Sequence, residues 1–158
     1  MRLPTSSPTD VWGEIAAAAA GESPLWTEAL LPDRERRLVA VFSPLADAKF
    51  AVAVETIYEG YLTHYGRPRL FAPADRDTAL LLGDYLYAQG IVHLAATGSV
   101  EAVADMAELI SLCAHLRGEA RPGDGEAWAS TVSRLGGRDA ADGEETARAL
   151  AAHARRVG

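Results

Sequence analysis

One cysteine, Cys113, and one lysine, Lys49, are all that 158 residues contain of either type. A single thiol excludes an internal disulfide and any zinc site that needs two or more thiolates. The lack of lysine, beside abundant alanine, reads as compositional drift. Basic charge is scarce as well: 15 Lys and Arg face 22 Asp and Glu, for a net charge of -7. That balance argues against nucleic acid and anionic membrane surfaces as partners. No glycine-rich loop precedes a helix with phosphate-cradling spacing, and no lysine follows one. The opening MRLPTSSPTD has no apolar core of the kind a secretory signal needs, so the expected location is the cytoplasm. Nor does any stretch alternate apolar and polar residues as a half-buried strand would.

What is present is helical. With 49% hydrophobic and 23% charged residues, the chain has the composition of one globular domain over 1–158. Residues 1–9 read as a loose lead-in. Asp10 caps a helix to Ala20, and Ser23-Pro24 starts a short second one. Pro32 opens a third, PDRERRLVAVF, and Ser43-Pro44 launches a long helix to about Tyr65 with a stripe of Phe50, Val54, Ile57, Tyr61, His64 and Tyr65. Thr78–Thr97, TALLLGDYLYAQGIVHLAAT, is apolar on nearly every side, which predicts a central helix buried all round. Asp84, Gln89 and His93 interrupt it, and with Gly83 and Gly90 they exclude a membrane span. Ser99 caps a helix to about Arg117, with Val103, Ala107, Ile110 and Ala114 expected inside. Arg117–Ala127 reads as a loop, followed by helices over about Ala127–Leu135 and Glu144–Arg156. The expected fold is all-α, with seven or eight helices.

Few residues suggest chemistry. His64, His93, His115 and His153 do not stand at metal-ligand spacing with one another. Asp75 and Asp77 read as a helix cap and a dipole partner, and Glu144-Glu145 read the same way. Arg34, Arg36 and Arg37 form a possible anion contact, since arginine suits bidentate anions, although Glu35 among them favours a solvated face.

The segment LLLGDYLYAQGIVHLAATGSVEAVADMAELI is similar to the buried Gly-Asp helix, and the helix after it, of the trans-polyprenyl diphosphate synthases. AVAVETIYEGYLTHYG resembles that family's long helix, RERRL stands where a Gly-Lys-Arg-x-Arg-Pro segment is usual, and WASTVSRLGGRDAADGEETARALAAHARRVG resembles the helix pair after the Gly-Asp region. The resemblance covers most of the chain from about Arg34. It implies an isoprenoid-synthase-like helical array.

The departures from that pattern carry the functional expectation. In the family, two aspartate-rich clusters hold Mg²⁺ against a leaving diphosphate. Matching Leu62-Thr63-His64 to the leucine-x-histidine before the first cluster makes His64, Tyr65 and Gly66 its degenerate counterpart. The second would fall beyond Gly158. The resemblance therefore implies a non-catalytic small subunit with no cofactor of its own, Mg²⁺ being held by a catalytic partner. That partner would be a full-length prenyl diphosphate synthase in a heterodimer, or a second copy in a homodimer. Asp84, Tyr87, Gln89, Ile91 and His93 are the expected interface. Two alternatives stay open: a helical protein holding an isoprenoid or other lipid in its interior, and a minimal enzyme using Asp75, Asp77 or Asp84.

Overall fold

The computed structural model describes residues 10–136 and 142–157; the lead-in expected over 1–9 lies outside them. Seven α-helices are present among these residues: α1 (Val11–Glu22), α2 (Pro24–Ala29), α3 (Ala51–Tyr65), α4 (Arg76–Ala96), α5 (Val100–Gly118), α6 (Asp124–Arg134) and α7 (Gly143–Val157). Three single 3₁₀ turns lie at Asp33–Glu35, Ser43–Leu45 and Ala48–Phe50. Among the described residues the only β pairing is one isolated bridge, Leu30 to Phe71. The caps are those that short polar side chains dictate. Asp10, Ser23, Asp75 and Ser99 accept from Gly13, Leu25, Thr78 and Ala102 N–H groups, respectively.

The helix enclosed on all sides is α3, not α4. Every residue from Ala53 to Thr63 is buried. Around α3 pack α4, α1, α7 and the turns before it. Its expected single stripe is therefore incomplete, because the opposite side is buried too. That side carries Glu55 and Glu59, one helical turn apart, and both carboxylates close on Arg69. All three residues are fully buried.

In contrast α4 buries only Leu82, Gly83, Leu86, Gly90 and Leu94. It lies along α3 closely enough that glycines are required. A Cβ at Gly60 would stand 2.9 Å from the Gly83 carbonyl, and one at Gly90 would stand 2.3 Å from Ile57. The large apolar residues Leu80, Leu81 and Val92, which sequence pattern alone places in the interior, point outward and are 56%, 57% and 61% exposed. Because α3 takes the centre, α4 can be covered on one side only.

Two further expectations change. PDRERRLVAVF makes one 3₁₀ turn and is then irregular rather than helical, because its backbone donors have other acceptors. Arg37 N–H pairs with the Arg69 carbonyl, and the Val41 and Ser43 N–H groups both bond Glu55 Oε1. The long helix begins at Ala51 rather than Pro44, since Asp47 caps a separate turn through Lys49 N–H. On α5 the inner face is Ala102, Met106, Leu109, Cys113 and Leu116; Ala107 and Ala114 are exposed. The segment between α5 and α6 is shorter than the expected Arg117–Ala127 loop, because α6 starts at Asp124.

Candidate functional site

The C-terminal half of α3 gathers most of the molecule's polar aromatic chemistry. Tyr58 and Tyr61 are fully buried and stack at 5.8 Å, with Trp128 edge-on to both. Tyr65 continues the series at 5.2 Å from Tyr61. Each buried hydroxyl has a partner. Tyr58 pairs with His153 Nδ1 at 2.9 Å. Tyr61 donates to Asp124 Oδ2 and accepts from Arg117 Nη2 at 2.8 Å. Arg117 Nε closes the triangle on Asp124 at 2.8 Å. Gly123, at φ 120°, makes the turn that sets Asp124 at the first position of α6, where the helix dipole favours a carboxylate.

Electrostatics keep this cluster closed. Burial, joined by the bond to Asp124, holds the Tyr61 hydroxyl well above the ordinary tyrosine range. Burial pushes Asp124 up, but bonds from Tyr61 and Arg117 outweigh it and hold the carboxyl below its usual value. Burial lowers His153, with Asp124 pulling the other way. Cys113, buried on α5, is pushed up to about 12 by desolvation. At neutral pH it is a thiol rather than a thiolate nucleophile. The triangle is internally satisfied and leaves neither a free base nor an activated nucleophile.

At the end of α3, His64 leans across α4. Its Nε2 lies 3.1 Å from the Leu80 carbonyl and 3.4 Å from Asp84 Oδ1. Two acceptors at one nitrogen assign the proton to Nε2, which makes His64 a donor here. Tyr87 packs edge-on to its ring at 5.1 Å. The ring fits because residue 83 is glycine; a Cβ there would be 2.1 Å from it. Next to His64 a cleft of about 270 Å³ opens between the end of α3 and the start of α4, with Tyr65, Arg76 and Leu80 on its walls. Tyr65 and Gly66 supply no carboxylate to this end of the helix. Among the described residues no three His, Cys, Asp or Glu side chains form a metal-binding group.

No protein-family model, curated protein or solved structure matches the chain.

The structure thus brings His64, Asp84 and Tyr87 together. It places Tyr87 and Ile91 against the core beside α3, while Gln89 and His93 are half-buried along the opposite border of α4. The three arginines form no common site: Arg36 is engaged by the Leu31 carbonyl at 2.9 Å and Asp33 at 3.0 Å, and Arg34 and Arg37 are exposed. Asp75 caps α4, as read from the sequence. The Tyr61–Arg117–Asp124 triangle and the Glu55–Arg69–Glu59 cluster were both missed. Two glutamates at i and i+4 inside an apolar helix were the available signal for the second, since such a pair demands a buried cation. For the triangle no local signal exists, because its members are 56 and 63 residues from Tyr61.

Proposed function

We propose that this protein is a non-catalytic subunit that pairs, through α4, with a full-length trans-prenyl diphosphate synthase and supports its activity or product length. The observation that carries this reading is the outward face of α4. Leu81, Asp84, Ala88, Val92 and Ala95 fall within an arc of about 80° at 100° per residue. All five are exposed, and Asp84 alone among them is charged. A long helix that resembles a buried one yet keeps an uncovered apolar side is suited to a partner. A second feature agrees. At the position corresponding to the family's first carboxylate cluster, Tyr65 and Gly66 do not fit Mg²⁺, and the interior behind them is occupied by Tyr61, Arg117 and Asp124. On this reading the chain's own residues position no diphosphate, and Mg²⁺ is held by the partner.

Co-expression with a full-length synthase from the same genome tests this. The expected result is a stable heterodimer with raised or redirected prenyl transfer, weakened by Val92→Asp. A synthase that co-purifies with nothing, and whose products are unchanged by this protein, would overturn the reading.

A further inference from the structure

We infer that the groove between residues 39–44 and α7 docks an acidic amphipathic helix of a partner protein. The inference does not rest on the pairing role proposed for α4, because the two faces share no residue. The groove holds about 420 Å³. Val41 and Ala149, each 4% exposed, form its floor, and Pro44 and Ala152 continue it. Val39, 58% exposed, stands on one wall, so the apolar floor runs out onto open surface.

Both walls are fixed before any partner arrives. The Val39 carbonyl accepts from Arg69 Nη1 at 3.0 Å, and the Val41 N–H donates to Glu55 Oε1 at 3.2 Å. These bonds tie the segment to the buried ion cluster. On the other side α7 is pinned by His153, whose Nδ1 pairs with the Tyr58 hydroxyl at 2.9 Å. A partner therefore meets a formed groove and loses little in ordering it.

The α7 wall carries Arg148 and Arg155. Both are exposed, and neither has a hydrogen bond or ion pair among the described residues. Glu145, half-buried near Arg148, is already engaged, so the two guanidiniums are the charges a partner meets. Seven residues separate them, about 10.5 Å along the helix axis. One carboxylate headgroup answers only one of them, so a fatty acid leaves the other unpaired. Two carboxylates seven residues apart on a second helix match the interval and share a face. Apolar residues midway between them then meet the floor, while the carboxylates accept from the arginines. In an extended segment the same distance is about three residues, which sets the two acids on opposite faces.

Fluorescence anisotropy of the whole chain with a labelled, alanine-based helical peptide tests the site. The peptide carries two glutamates seven residues apart and two leucines midway. It should bind, and Arg148→Glu and Arg155→Glu should each weaken it about fivefold or more, since each sets like charges together. The double variant Arg148→Glu/Arg155→Glu should reject this peptide and accept its counterpart with lysines in place of the glutamates. Val92→Asp, on α4, should leave binding unchanged. All three positions are exposed, and circular dichroism checks that each variant keeps its helix content. No binding by the wild type, binding indifferent to the single reversals, or binding lost in Val92→Asp would each overturn the inference. Binding of dodecanoate in place of the peptide would overturn it in favour of a lipid carboxylate. Self-association lost in Arg155→Glu, again without peptide binding, would overturn it in favour of a second copy. Each of these failures leaves the α4 pairing standing, since co-expression with the synthase reads a different face.

Discussion

Arg69 shows how much one side chain can decide. It sends Nε to Glu59 at 2.9 Å and Nη1 to Glu55 and the Val39 carbonyl, and its guanidinium lies over Trp12 and Tyr58 at 4.7 and 5.0 Å. Glu59 also accepts the Arg69 and Leu70 N–H groups, and Glu55 those of Val41 and Ser43. The cluster therefore ties α3 to both loops that flank it. Removing the cation strands two carboxylates in the interior. Arg69→Met should destabilise the fold by about 3–5 kcal/mol in urea unfolding. Arg69→Lys should recover only part, because an ammonium cannot reproduce the fork of donors. A loss below about 1 kcal/mol for the methionine variant would refute this account of the cluster. His153 supports a prediction about pH. Its folded pKa is depressed, burial being the largest cause, so the unfolded chain binds the proton more readily. Its contribution to stability is complete above the unfolded value, about 6.5, and is lost as pH falls below it. Melting temperature should drop between pH 7.5 and 5.5, and the drop should shrink in His153→Gln; an undiminished drop would mean other groups set it.

At the level of elements, the sequence placed most of the helices and the caps Asp10, Ser23, Asp75 and Ser99, because those signals are local, while it drew PDRERRLVAVF as a helix and started the long helix at Pro44. It misjudged which helix is central. Apolar residues spread around the whole circumference favour α4, whereas the structure gives the centre to α3, where Glu55 and Glu59 interrupt the apolar surface and are nonetheless fully buried. A buried ion cluster defeats a hydrophobicity reading for this reason: the compensating Arg69 lies ten residues beyond Glu59 and outside the helix. The glycines of α4 let α3 approach. That role has a measurable sign. Gly90→Ala puts a methyl group 2.3 Å from the buried Ile57 and 3.2 Å from the Ala53 carbonyl. The overpacking cost of about 1–3 kcal/mol should exceed the roughly 1 kcal/mol gained in helix propensity. Gly21→Ala, in the last turn of α1 with no atom within 4 Å of the new Cβ, should instead stabilise slightly. Thermal melts of the two variants should move in opposite directions; a shared sign would remove close helix approach as the explanation for Gly90.

For the molecule as a whole, function was less legible than fold, since a resemblance in order and spacing says nothing of which distant groups meet. The resemblance sets His64, Tyr65 and Gly66 at the place of that family's first carboxylate cluster, and the geometry there gives the last prediction its content. The isolated protein should not elongate allylic diphosphates with Mg²⁺, and Tyr65→Asp with Gly66→Asp should not rescue it. Gly66 is held against the end of α7: a Cβ would lie 2.8 Å from the Arg156 carbonyl, the same carbonyl that accepts the Arg67 N–H at 2.9 Å. An aspartate at 66 must therefore push that backbone away before it can bind a cation. Tyr65 packs 5.2 Å from the Tyr61 ring and 5.5 Å from the Arg117 guanidinium, so replacing its ring opens the aromatic stack. Arg117 would be the nearest partner for the new carboxylate and would neutralise it in place of a metal ion. The double variant should thus melt lower than the wild type and bind Mg²⁺ no better by calorimetry, with no turnover of labelled prenyl diphosphate in either protein. Turnover by the purified wild type, free of any synthase, would refute the non-catalytic reading, whereas Mg²⁺ binding and turnover appearing only in the double variant would show that two carboxylates at these positions are enough to hold the metal ion.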